Sequence, residues 1–267
     1  MGVLLALGAQ GLISWPPGPS APLRRVDVVG AQGRLLVDND ARQCSFEGRP
    51  FSCAPEITDA CCWQGHPLLL SGEGDSVTLH SREGTPLVTA PAGFAPRALC
   101  LLPEGTLLAV AGGLSGEVLI LRLPALTLVQ ALAAPGAPMC LAVSGRWLYA
   151  ACAVGDAEMH CLLCRYSLTA GRWETGPLFA GLPGALAAAP WGEVYLGCTE
   201  RLYRLNSSTF RVLSCREGIG LPRRILCGEG QVLAADPVLC QALAFDPRLR
   251  DAPRLLWQGE IVDACLV

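Results

Sequence analysis

Seven glycines set the frame of this chain. Gly2, Gly33, Gly65, Gly105, Gly145, Gly192 and Gly230 each end a short turn between two apolar stretches, at steps of 31 to 47 residues. The step from Gly230 through Val267 back to Gly2 is 39, so the pattern consumes the whole sequence. The clearest unit, Pro96 to Pro138, predicts four strands: Ala98–Leu102, Thr106–Ala111, Glu117–Leu123 and Thr127–Ala133. Gly, Pro and Glu separate them, and short apolar runs bounded by such residues are the signature of strands. A second copy runs from Gly184 to Gly218 with the same order of elements. No segment of ten or more residues carries a helical period.

Repeats near 40 residues with four strands each are the pattern of β-propeller blades. The expectation is an all-β, closed seven-bladed β-propeller with four-stranded antiparallel blades, forming one domain over residues 1–267. Closure has its own signal. The last residues, EIVDACLV, repeat the start of the third unit, EITDACCW from Glu56 to Trp63. The C-terminal stretch 260–267 therefore predicts an innermost strand whose partners come from residues 1–24: Val3–Leu7, Leu12–Trp15 and a strand around Leu23. A joint of this kind removes the open sheet edges that invite aggregation.

Proline before the first strand, a Pro-x-Gly turn after it and a polar turn after the third strand together resemble the YVTN-type repeat. Pro96–Pro138 and Pro183–Pro222 carry the likeness best. The chain has no literal YVTN string and lacks the Gly-His and Trp-Asp signatures of WD40 repeats, so the resemblance implies the propeller fold and is only WD40-like. Lactonase-type enzymes occur among propellers of this kind, but no motif here allows their catalytic residues to be carried over.

Composition narrows the function. Hydrophobic residues make up 51% and charged residues 16%, against an average charged content of about 25%. The chain can bury a large core and leave an apolar face for a partner. Net charge is −3 with no basic run, which argues against nucleic acid, since phosphate neutralisation needs a basic footprint. No run approaches the ~18 apolar residues of a membrane span. The apolar N-terminus lacks a positive residue ahead of it and is broken by Gln10 and Gly11, which fits a strand better than a signal peptide. Several of the fourteen cysteines (Cys61, Cys100, Cys140, Cys227, Cys265) sit inside apolar runs, where free Cys behaves as a small hydrophobe. The expectation is a reduced, cytoplasmic protein.

The chemistry-bearing candidates are few. Cys161 and Cys164 have zinc-ligand spacing, but strand residues three apart point to opposite faces, and no second pair completes four ligands. Cys44 and Cys53 stand where they could face each other across one blade. Among His66, His80 and His160 only His160 is expected near the top face, where propellers usually bind. Trp63, Trp147 and Trp191 recur beside turn glycines, as expected of packing between blades. One constellation remains. Asp27, Asp59 and Asp263 share a register six residues before the turn glycine, Arg224 holds that register on the neighbouring unit, and Leu99, Met139 and Leu186 hold it on the others. With Arg97, the charged members form the expected channel-mouth binding set; the alternative is that each Asp caps its own turn. The leading expectation is a non-enzymatic module that binds a protein or small-molecule ligand at its top face, with no cofactor, no nucleic acid and no membrane. The alternative is a lactonase-type hydrolase using the aspartates with a divalent cation such as Ca²⁺.

Overall fold

The computed structural model describes residues 3–8, 12–15, 25–30 and 33–266. The chain opens with β1 (Val3–Ala6) and β2 (Leu12–Trp15). The first four-stranded blade is β3 (Val28–Gly30), β4 (Leu35–Asp38), β5 (Gln43–Phe46) and β6 (Arg49–Ser52). The second is β7 (Ile57–Trp63), β8 (His66–Ser71), β9 (Ser76–His80) and β10 (Pro86–Pro91). The third is β11 (Ala98–Leu101), β12 (Leu107–Ala111), β13 (Glu117–Arg122) and β14 (Thr127–Ala133). The fourth is β15 (Ala137–Ser144), β16 (Trp147–Val154), β17 (His160–Ser167) and β18 (Arg172–Ala180). The fifth is β19 (Pro183–Ala188), β20 (Glu193–Cys198), β21 (Arg201–Asn206) and β22 (Val212–Glu217). The sixth is β23 (Arg224–Gly228), β24 (Gln231–Asp236), β25 (Gln241–Phe245) and β26 (Arg254–Gln258), and β27 (Asp263–Leu266) ends the chain.

Every blade is an antiparallel meander with its first strand innermost. The middle strands β12, β16, β20 and β24 are almost wholly buried, because neighbouring blades cover both of their faces. They therefore read as continuous apolar runs rather than alternating ones. Outer strands such as β14 are mostly exposed. The glycines that end the first turns adopt the conformation that the repeat demands: Gly33, Gly65, Gly105, Gly145, Gly192 and Gly230 have φ between 54° and 86°. Gly2 lies outside the described residues.

The blade count corrects the expectation. Among the described residues six four-stranded blades are present, not seven. The remaining sheet, in the order β2-β1-β27, has three strands. The strand expected around Leu23 lies outside the described residues. The sequence there carries Pro16, Pro17, Pro19 and Pro22, and proline has no N–H to give to a ladder. The joint itself pairs the two ends of the chain: Asp263 lies opposite Ala6, Ala264 opposite Leu5 and Cys265 opposite Leu4. The inner strand β27 packs between β23 and β3, so the inner strands form a closed circle around the channel.

Ties between blades sit on the face where first and second strands are joined. Trp63 Nε1 donates to the carbonyl of Gly105 in the next blade at 2.6 Å. Tyr149 and Tyr195, each three residues into or near the start of a second strand, donate their hydroxyls to Ser207 O and Pro247 O of the following blades. Trp147 packs under the Arg165 guanidinium of its own blade, 4.1 Å from its ring centre, and Arg165 Nη1 donates on to Ser207 O of the next blade. Among the described residues no helix is long and apolar enough to cross a membrane.

Cutting the chain after Gly259 removes β27 and uncovers Leu5, Ala6, Leu7 and Val26, all buried. Large apolar side chains contribute about 1.5–3 kcal/mol each when buried, and total stability is usually about 5–15 kcal/mol. The truncated protein is expected to be insoluble or to lose its cooperative melt; a soluble product with an unchanged melt by circular dichroism would rule out this closure.

Candidate functional site at the channel mouth

The face on which the inner strands begin is taken as the top. There β7, β23 and β27 bring Asp59, Arg224 and Asp263 together. Arg224 Nε donates to Asp263 Oδ1 at 2.8 Å and its Nη2 to Oδ2 at 3.2 Å. The same Nη2 donates to Asp59 Oδ1 at 3.1 Å. Each carboxylate also accepts a backbone N–H from the next inner strand, Val29 to Asp263 and Leu99 to Asp59, both at 3.0 Å. Asp263 is fully buried and Asp59 nearly so. Burial by itself would raise the Asp263 carboxyl, but the Arg224 charge and hydrogen bonds, with help from Arg223 and the Val29 N–H, hold it below the usual carboxylate range. The Asp263 charge in turn raises the Arg224 guanidinium further, against the opposing effect of burial.

Asp27 does not join this group. Arg25, two residues earlier, donates its Nε to both carboxylate oxygens at 2.8 and 3.0 Å, and the Asn39 N–H donates to Oδ2 at 2.8 Å. Asp27 thus holds the top turn of its own blade, as the capping alternative requires, whereas Asp59 and Asp263 reach across to neighbours. Arg97 is exposed on the rim, and among the described residues its guanidinium makes no ion pair or hydrogen bond.

Beside the Arg224 bridge lies an open cavity of about 320 Å³. Arg97, Arg223 and Arg224 supply its polar wall; Leu99, Met139 and Leu186 supply an apolar one. Arg223 crosses the mouth to donate to Thr58 O at 3.0 Å. Its part was not foreseen, although the doublet Arg223-Arg224 was visible in the sequence. Cys140 also lines the cavity, and burial pushes its thiol up to about 12, so it is no nucleophile at neutral pH. No histidine lines the cavity. His160 begins β17 at the top, bonded to Glu158 O at 2.9 Å, while His66 and His80 lie toward the opposite face at the start of β8 and the end of β9. Around the mouth, top-face loops expose Phe94, Leu114, Met159, Leu182, Val238 and Leu239.

The structure offers the aspartate–cation alternative little. Among the described residues no three His, Cys, Asp or Glu side chains are grouped to hold a metal. The guanidinium of Arg224 already occupies the space between the two carboxylates that converge. Cys161 and Cys164 separate as strand geometry requires: Cys161 packs in one core cluster, near Cys198, and Cys164 in another, against Cys152.

No family model matches the chain, and no curated protein matches it in sequence. The likeness to YVTN-type and WD40-like repeats therefore rests on the repeat pattern alone. Solved structures match it over their whole length. A proposed 6-phosphogluconolactonase of Bacteroides uniformis is 12% identical with a TM-score of 0.77, covering 100% of this chain and 99% of that one. Another from Bacteroides fragilis is 13% identical with a TM-score of 0.71, covering 100% and 97%. A chain of a nidogen–laminin complex is 11% identical with a TM-score of 0.63, covering 100% and 93%. These likenesses establish the class, an all-β propeller with four-stranded antiparallel blades. At such identities they show the fold and nothing finer.

Removing Arg224 strands two buried carboxylates, which typically costs about 3–5 kcal/mol for a buried pair; with the guanidinium partly exposed, about 3 kcal/mol is expected for Arg224→Ala in urea melts at neutral pH. Because the folded Asp263 pKa lies below its unfolded value of about 3.9, its contribution is present above that value and is lost as pH falls through the folded pKa. Asp263→Asn should therefore flatten the acid limb of the stability curve. Calcium should leave the melting temperature of the native protein unchanged; a rise that Asp59→Asn abolishes would restore the metal reading.

Proposed function

We propose that this chain is a non-enzymatic binding module whose ligand seats in the top-face cavity. One observation carries the reading: with Asp59 and Asp263 both hydrogen-bonded to Arg224, the cavity also presents Arg97 and Arg223 alongside a wall of Leu99, Met139 and Leu186. That combination suits a small anion, a carboxylate or phosphate, carrying an apolar body. Its volume falls at the small end of the about 300–1,000 Å³ typical of ligand pockets. Nothing lining it is an activated nucleophile or a free general base. A reducing, cytoplasmic setting belongs to the same reading, supported by cysteines that are all free thiols.

A second reading, hydrolysis of the lactonase type, is favoured by the two neighbours bearing that description. A phosphorylated sugar lactone would offer its phosphate to the same arginines.

Isothermal titration against a panel of small carboxylates and sugar phosphates separates the two. Binding without turnover is expected, and it should weaken on Arg97→Ala and on Arg223→Ala while the fold persists. Accelerated opening of 6-phosphogluconolactone, followed by pH-stat, would establish the hydrolase instead. If no anion binds, or the arginine variants bind unchanged, the proposed site is wrong.

A further inference from the structure

Three pairs of thiols lie together in this protein. Cys152 and Cys164 have their Sγ atoms 3.6 Å apart, and Cys161 shares a core cluster with Cys198; all four are fully enclosed. The third pair, Cys44 and Cys53, differs. Cys44 is buried in β5, opposite Phe51. Cys53 stands two residues beyond Phe51, just past the end of β6, with its N–H donated to Arg42 O at 3.0 Å. This places it on the same sheet face as Cys44, at the diagonal position. Each thiol feels the other: Cys44 is pushed up by Cys53 together with burial, and Cys53 is lowered by Cys44 against the opposing effect of burial.

Cys53 alone of these six thiols is half-buried rather than enclosed, and it opens onto a cavity of about 180 Å³ between the first and second blades. The same cavity is lined by His80, 3% exposed. Its Nδ1 is buried and has no hydrogen-bond partner among the described residues. Burial lowers the imidazole pKa against a smaller opposing effect of the Thr78 backbone, which favours the neutral ring. A buried polar atom with no partner is costly to keep, and the His80 ring borders a space large enough for a small polar molecule.

We propose that Cys53 is a peroxide-reactive thiol served by this cavity, and that Cys44 captures it as a disulfide within the blade. The oxidant is a small hydroperoxide, whose oxygen His80 Nδ1 can meet with a hydrogen bond. The Cys53 sulfur forms an S–O bond as the O–O bond breaks. The departing oxygen takes up the thiol proton and, for hydrogen peroxide, leaves as water. The Cys44 sulfur then attacks the sulfenic sulfur: an S–S bond forms, the S–O bond breaks, and the hydroxyl leaves with the Cys44 proton as a second water. Two thiols lose two electrons and two protons together, and one peroxide becomes two waters. The site is independent of the channel mouth.

The test treats the reduced full chain with stoichiometric hydrogen peroxide and maps thiols by mass spectrometry. The free-thiol count should fall from fourteen to twelve, with the Cys44 and Cys53 peptides joined, two hydrogens lighter, and restored by a thiol reductant. Cys44→Ala should stop at a sulfenic acid on Cys53 that dimedone captures, and His80→Phe should slow Cys53 oxidation without altering the alkylation rate of exposed Cys215. The proposal is overturned if Cys215 or Cys240 oxidises first, if Cys53 stays reduced, if Cys53 is oxidised without joining Cys44, or if His80→Phe leaves its rate unchanged.

Discussion

The Arg224 guanidinium is the point at which the ring is tied across its own centre. It belongs to β23, grips Asp263 of β27 and reaches Asp59 of β7. Those carboxylates then hold the backbones of β3 and β11 through Val29 and Leu99. Five inner strands are thus linked by one cation and two anions. A propeller channel narrows until inner strands have few side chains to offer each other, so polar links of this reach substitute for the apolar packing available farther out. Buried ion pairs are poor sources of net stability, yet they are strict about geometry. Here that strictness fixes which inner strands face each other across the channel.

The same bridge decides the electrostatics of the mouth. The chain as a whole carries net charge −3, and counting acidic residues on the inner strands suggests an acidic site. Once Asp59 and Asp263 are satisfied internally, the groups left facing the cavity are arginines. Local sign is therefore opposite to overall sign, and it follows from who pairs with whom rather than from composition. Overall charge still speaks to solubility and long-range association.

Much of this was legible in the sequence because the repeat forces it. Turn glycines marked positions that need positive φ, and the strands β11 to β14 fell within a residue of their expected bounds. The match between the two DAC segments located the closing joint. The register of Asp59, Asp263 and Arg224 was visible too, since equivalent positions on inner strands must converge on the axis. Asp27 shared the register and still went elsewhere, because Arg25 and the Asn39 N–H compete for it locally. Side chains that meet only across a blade interface, such as Phe51 and His80, left no trace in the repeat, since no spacing rule links them.

The joint between β1 and β27 also sets an order of events. β1 is made before all six blades and its partner β27 after them, so the pair is separated by the whole run of blades. Every blade in between is a local meander able to form as it emerges, so most of the protein can assemble early while β1 and β2 wait with an unpaired edge. Contacts this distant in sequence are slow to form, and an apolar edge left waiting is where misassembly starts. Folding of this protein therefore turns less on its self-contained blades than on how β1 is kept from other partners until β27 is made.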